Sequence, residues 1–251
     1  MSSPLDKNEP IPHDYGWAAA TFHRISSFGY FKEPLPPFSL APEETYTNTE
    51  LNVDKIRSEF PSNSICHTLG GLLIDRLSCR EFGTDPLFKK ELIFLMWSAY
   101  GKVNTLYRHT VPSAGAIYPL RLILLSLSVK GLEPGFYTYE THTGKLKTSN
   151  IPLPSPVSSW FRTKHVNYEK TAAIIFMIGN LSRICPKYGE RGYRYLLLEA
   201  GHSAQNLCLA STALGIPHLP VGGFDDQVVN NALCSSNDRE VVVYSFVLGK
   251  K

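Results

Sequence analysis

The sequence predicts an α+β or mixed α/β layer fold, and three observations predict it. Apolar runs of strand length recur at LRLILLSLSV (120–129), TAAIIFMIG (171–179) and VVVYSFVLG (241–249). Stretches with helical spacing of apolar residues accompany them, notably 89–101 and 190–214. One alternating stretch, GFYTYETHTGKLKTS (135–149), reads as a local hairpin with Thr-His-Thr-Gly at its turn. Buried strands interleaved with helices need layers, because each apolar face has to find a partner.

Taken in order, residues 1–61 hold 8 of the 18 prolines and few periodic runs. They read as an arm, with WAAATFHRI (17–25) as one short helix inside it. Residues 62–251 read as the folded domain. SICHTLGGLLIDRLS is a mixed apolar run, a strand or a short helix. In KKELIFLMWSAYG, apolar residues at Leu92, Ile93, Leu95, Met96, Ala99 and Tyr100 mark a helix closed by Gly101. The strand 120–129, the hairpin 135–149, a proline-spaced loop IPLPSPVSSW and the strand 171–179 follow. The long helix Glu190 to Leu214 places Ala200, Gly201 and Ala204 in a flat, small-residue stripe. The strand 241–249 ends the domain.

The bulk numbers narrow the function classes. The chain has 251 residues, 43% of them apolar, enough for one sizeable core. Net charge is +3, from 25 basic and 22 acidic side chains, with no long run of one sign. That argues against a nucleic-acid or membrane-surface role. No apolar run approaches the length of a bilayer span, and no amino-terminal pattern reads as a signal peptide. The five cysteines, at 66, 79, 185, 208 and 234, are scattered without C-x-x-C or zinc spacing. They read as reduced thiols of a cytoplasmic protein.

Four segments carry candidate chemistry. Arg76, Ser78 and Arg80 alternate, so an extended backbone puts two guanidinium forks and a hydroxyl on one face. That set suits a phosphate, although the same pattern also makes an ordinary solvated strand edge. Pro112, Ser113, Ala114 and Gly115 form a small-residue turn before a strand, with bare backbone that a flat or anionic group can approach. It is half of G-x-S-x-G only, so it is not a nucleophile elbow. Pro220, Val221, Gly222 and Gly223 precede an acidic pair, Asp225-Asp226, either of which is a natural helix N-cap. Lys187 and Tyr188 are adjacent at a helix entry, where such a pair can move protons or simply pack and snorkel. His23 and His202 read as packed or satisfied histidines. G-x-G-x-x-G, the P-loop, H-E-x-x-H and EF-hand patterns are absent.

In their order along the chain, RLSCREF (76–82), VPSAGAIYPL (111–120), KYGERGYRYLLLEAGHSAQN (187–206) and VGGFDD (221–226) resemble the nitroreductase superfamily. More narrowly they resemble its SagB-type dehydrogenase branch, the azoline oxidases of thiazole/oxazole-modified peptide biosynthesis. The resemblance implies a central, mostly antiparallel sheet flanked by helices, a homodimer, and FMN at the subunit interface. It implies that Arg76, Ser78 and Arg80 take the phosphate and polar rim. It places Pro112 to Gly115 against the flavin of the other subunit, and Pro220 to Gly223 against the isoalloxazine. Gln205 is a further implied contact. Lys187 and Tyr188 match the family's Lys-Tyr position, which implies proton transfer from the Cα of a peptide azoline while a hydride leaves Cβ. Implied partners are an azoline-bearing precursor peptide and a cyclodehydratase complex. A general NAD(P)H-dependent nitro- or quinone reductase, or a non-catalytic flavin-binding scaffold, are the competing readings. The carboxy terminus stops at Lys250-Lys251, short of the basic extension many relatives carry.

Overall fold

The computed structural model describes residues 21–23, 65–103, 108–234 and 239–251. Most of the expected arm therefore lies outside the described residues; of the expected helix at 17–25 only 21–23 is described, and it is helical. The first complete element is α1 (Ile65–Asp75), which resolves the strand-or-helix alternative in favour of a helix. Then come β1 (Leu87–Phe88), α2 (Lys89–Tyr100) and two short strands, β2 (Lys102–Val103) and β3 (Arg108–His109). After a single 3-10 turn at Ala114–Ala116 the main sheet begins. It is built from β4 (Leu120–Ser126), β6 (Gly135–Glu140), β7 (Lys145–Ser149), β8 (Ala173–Asn180), β9 (His218–Val221) and β10 (Glu240–Leu248). A two-residue strand β5 (Val129–Lys130) pairs in parallel with β1. The helices between β8 and β10 are α3 (Leu181–Tyr188), α4 (Arg191–Ala213) and α5 (Asp226–Leu233).

The six strands lie in the order β7-β6-β4-β8-β10-β9, and every neighbouring pair is antiparallel. The expected α+β layer architecture is therefore present. The alternation of side chains along a strand explains why β8 reads as one unbroken apolar run. Its Ile174, Phe176 and Ile178 face a cluster holding Phe136, Trp160, Phe161, Tyr168 and Val229. Its Ile175 and Met177 face the other way, into a cluster built with Leu92, Leu95 and Met96 of α2 and Leu196, Ala200 and Leu207 of α4. A strand covered on both faces needs apolar residues at every position.

Two details differ from the sequence reading. Gly101 does cap α2, but with an extended backbone (φ −68°, ψ 146°), and its N–H donates to the Trp97 carbonyl. Glycine is required there because a Cβ would collide with the Trp97 ring, not because φ is left-handed. The stripe Ala200-Gly201-Ala204 is not one surface. Ala200 and Ala204 are buried in the core beneath α4, and only Gly201 faces outward. Among the described residues no helix is long and apolar enough to cross a membrane.

Candidate active site

The first half of the site lies along one sheet edge. Beyond α1, Ser78 bridges in parallel to His218, the first residue of β9. The Cys79 N–H donates to the His218 carbonyl at 2.8 Å. This registers the Arg-x-Ser-x-Arg segment against the strand that delivers Pro220 to Gly223, two stretches far apart in sequence. Arg76 Nη1 lies 3.4 Å from Ser78 Oγ, a weak contact. Neither Arg76 nor Arg80 has a carboxylate partner among the described residues. Burial pushes His218 below the usual histidine range, and the nearby Arg76 charge adds to this while a 3.0 Å contact to the Ile216 carbonyl opposes it. Burial pushes the Cys208 thiol up, and the same Arg76 charge pulls it back. The Arg76 charge thus acts on both His218 of β9 and Cys208 of α4.

The loop after β9 is clamped on one side and open on the other. Arg162 N–H donates to the Gly223 carbonyl, Phe161 bridges to Phe224, and the Arg162 guanidinium pairs with Asp225. Asp225 caps α5 by accepting from the Val228 N–H, which settles the two cap alternatives. Gly222 is exposed, and a Cβ there would meet only the edge of the Tyr244 ring, at 4.0 Å. The backbone at 222 is therefore free to lie against a planar group.

The second half of the site is the small-residue turn. Gly115, Ala116 and Tyr118 all have left-handed backbones, at φ 59°, 54° and 51°. The turn is held by Ser113 Oγ, which accepts from the Tyr118 N–H at 2.9 Å, and by Arg183 Nη2, which donates to the Ile117 carbonyl at 2.9 Å. A Cβ on Gly115 would stand 2.5 Å from Lys187 Nζ and 2.6 Å from Tyr188 Oη. The structure therefore brings the turn and the Lys-Tyr pair together. Lys187 and Tyr188 are not a prelude to the long helix, as their spacing implied. They end a helix of their own, α3, which carries Pro186 inside it and is closed by Gly189. Lys187 is exposed with Nζ 5.5 Å from the centre of the Tyr188 ring; Tyr188 is half-buried, edge-on to Tyr195.

Beneath the turn lies a group that the sequence reading missed. Glu199 of α4 is 2% exposed and accepts a short hydrogen bond from the Tyr100 hydroxyl. Tyr100 in turn accepts from the Leu120 N–H at 3.2 Å. Burial pushes the Glu199 carboxyl up; the Ser113 and Tyr100 hydroxyls and the Arg183 charge pull the other way. The available clue was its place on the buried stripe, three residues after Leu196 and four before Ser203. A carboxylate on a buried helix face is rare unless it is paired.

A model of the nitroreductase family matches residues 73–250. The chain belongs to the nitroreductase family. A protein of Methanocaldococcus jannaschii assigned to the nitroreductases is 33% identical over 168 residues, 66% of this chain and 83% of that one. A solved Anabaena variabilis protein of the same assignment is 29% identical with a TM-score of 0.62 over 72% of this chain. This chain spans only 38% of that longer one. A chain of the Escherichia coli microcin synthetase complex, solved with truncated pro-MccB17 bound, covers 93% of this chain and 92% of its own length, at TM-score 0.63 and 20% identity. A family-fold protein of Desulfovibrio desulfuricans was solved in complex with FMN (TM-score 0.52, 15% identity, 72% of this chain and 84% of that one).

In this nitroreductase-family chain the expected site residues fall into two groups. The Arg76–Arg80 segment is registered through Ser78 and Cys79 against His218, at the start of the strand that leads to Pro220, Val221, Gly222 and Gly223. Of the turn Pro112, Ser113, Ala114 and Gly115, Gly115 stands against Lys187 and Tyr188. Gln205 joins neither; it is exposed on the outer face of α4, while Asn206 ties α4 to the carbonyls of Ser98 and Thr110. Lys250 is committed to Glu91 at 3.0 Å. His23 is buried against Tyr193, as a packed histidine would be, whereas His202 is exposed. The four described cysteine side chains are free thiols.

Proposed function

We propose that this protein is an FMN-dependent oxidoreductase that dehydrogenates azoline rings of a peptide to azoles. The observation that carries the reading is the convergence of Lys187 Nζ and Tyr188 Oη on the backbone of Gly115. A reductase fed by a dinucleotide has no need of an amine and a phenol at one point. An azoline oxidase does need a group that takes a proton from carbon. The length of the likeness to the microcin synthetase chain supports the same reading.

The residues fit FMN. Arg76 and Arg80, without a carboxylate partner among the described residues and flanking Ser78, suit its phosphate. The open backbone at Gly222 suits its ring system. When bound, FMN supplies the acceptor for the hydride that leaves Cβ of the azoline, and oxygen later takes those two electrons. Everything else falls to this chain. The Lys187–Tyr188 pair holds the proton taken from Cα, so that one proton and one hydride leave and a ring double bond forms. The exposed amine keeps the pair in contact with solvent, where that proton is finally released.

The two half-sites belong to a homodimer in this reading. Glu199, under the turn, and Cys208, within the field of Arg76, are nine residues apart on one helix. That is about 13 Å along the axis, so the two half-sites lie apart along α4. A second copy would supply the missing half. Leu73, Ile74 and Leu77 at the end of α1 and Leu197 and Leu198 on α4 are exposed and give such a contact its apolar surface. A precursor peptide and a cyclodehydratase complex are the proposed partners.

The test is an absorption spectrum of the FMN-loaded protein without oxygen, before and after an azoline-bearing peptide is added. Bleaching by the peptide, with loss of two hydrogens per ring by mass, is expected. Bleaching by NAD(P)H alone would favour a general reductase instead.

A further inference from the structure

We propose that Glu199 is a positioning residue: from below it holds the 113–120 turn against α3 and so sets where Lys187 and Tyr188 stand. The inference rests on the reading of that pair as the proton-moving groups. Glu199 itself touches neither of them.

Burying a carboxyl costs free energy that its contacts must offset. Those contacts lead to one turn. Through Tyr100, the last residue of α2, Glu199 reaches the N–H of Leu120, where the turn becomes β4. The Ser113 hydroxyl, at the entry of the turn, lies beside the same carboxyl and opposes its upward shift. Its oxygen accepts from the Tyr118 N–H, while Glu199 Oε2 is buried without a hydrogen-bond partner among the described residues. The exit of the turn is therefore tied to the buried carboxyl by hydrogen bonds, and its entry lies within that carboxyl's electrostatic reach.

Between them stand three left-handed residues, two of which are not glycine. Such a backbone stays strained only where its surroundings fix it. Arg183 adds the third tie. It donates to the Ile117 carbonyl, its charge acts on Glu199, and it lies one helical turn before Lys187 on α3. The turn is thus bound to α3 by Arg183 and to α2 and α4 by Tyr100 and Glu199. Gly115 sits at the point where α3 presents its amine and its phenol. Removing Glu199 takes away the floor of that arrangement.

The test uses the FMN-loaded protein as wild type, Glu199→Ala, Glu199→Gln, Tyr100→Phe and Lys187→Ala. The first readout is the rate at which an amine reagent labels Lys187, followed by peptide mass spectrometry. Lys145 and Lys147 on β7 are the internal controls. Glu199→Ala and Tyr100→Phe should change Lys187 labelling about threefold or more, with Lys145 and Lys147 unchanged. The second readout is anaerobic flavin bleaching by the azoline peptide. There kcat should fall about tenfold to a hundredfold, since small misplacements of a reacting group cost that much, while KM holds. Glu199→Gln keeps an oxygen that accepts from Tyr100, so it should restore most of the rate that alanine loses. Unchanged Lys187 labelling in folded Tyr100→Phe and Glu199→Ala proteins would overturn the proposal. So would a Gln variant as impaired as the Ala variant. Wild-type protein that does not bleach with the peptide defeats the azoline reading instead, and the labelling still decides the role of Glu199.

Discussion

Gly115 and Tyr188 leave no room for a carbon between them. A Cβ on Gly115 would stand 2.6 Å from the tyrosine hydroxyl oxygen and 2.5 Å from Lys187 Nζ, on a backbone with φ of 59°. Gly115→Ala separates two effects. The colliding atoms are the free ends of flexible side chains, so the fold survives with a cost of about 1 kcal/mol for the left-handed alanine. In a chain of this size that lowers Tm by about 2–4 °C. The displaced amine and phenol, however, lose their place, and peptide-dependent turnover should fall by about a hundredfold. Calorimetry and single-turnover bleaching measure the two effects. Wild-type turnover in this variant would detach the turn from the chemistry.

Lys187→Ala and Tyr188→Phe remove the candidate proton carriers one at a time. Neither residue is among those proposed to hold the FMN phosphate or ring, so FMN content should hold. Turnover should drop by roughly a hundredfold to ten-thousandfold for whichever group takes the proton, the usual range for acid–base catalysis. The partner variant, which tunes or relays, should lose less. Equal and small losses in both would move proton transfer to another group.

Arg76→Ala and Arg80→Ala test the other half-site. Each removes a charge-assisted contact worth about 1.5–3 kcal/mol, and so weakens FMN by roughly tenfold to a hundredfold. The loss should shrink as salt rises, because screening already weakens the wild-type contact. Fluorescence titration with FMN reads both constants. Turnover at saturating FMN should stay close to wild type. An arginine whose loss leaves FMN affinity unchanged is a surface residue and no part of the cradle.

The layers were legible because burial on both faces writes itself into sequence. The apolar run of β8 and the helical spacing in α2 and α4 each have one cheap solution. The short elements were not. In α3, Pro186 sits within the last turn and breaks the expected pattern, so Lys187-Tyr188 read as the entry of the long helix rather than the end of a short one. The four-residue strand β9 exists because β10 offers it an edge, a long-range cause that no local window contains. Glu199 hides for the same reason. Its partners Tyr100 and Ser113 are distant in sequence, and only the packing of α2 on α4 brings them together.

The last prediction concerns acid stability. His23 is buried, with Nδ1 2.6 Å from the Tyr193 hydroxyl and Nε2 3.8 Å from Asp226. Burial holds it at about pKa 4, against 6.5 for a free histidine. Tyr193 beside it is pushed up to about 12, by burial first and by Asp226 second, so it stays a neutral donor. In the unfolded chain His23 takes up a proton near pH 6.5; in the folded chain it does so only near pH 4. Between these values the unfolded state binds more protons, so stability falls as pH drops across that window and levels off below it. The contribution of His23 amounts to about 3 kcal/mol. His218, also held below its usual range by burial, acts in the same direction. Unfolding midpoints in denaturant from pH 7.5 to 4.5 should therefore decline, and His23→Gln should flatten much of that slope while lowering stability at pH 7.5. An unchanged slope in the variant would show that residue 23 is not held against Tyr193 in solution. A flattened one would establish that this part of the amino-terminal segment docks where α4 and α5 begin.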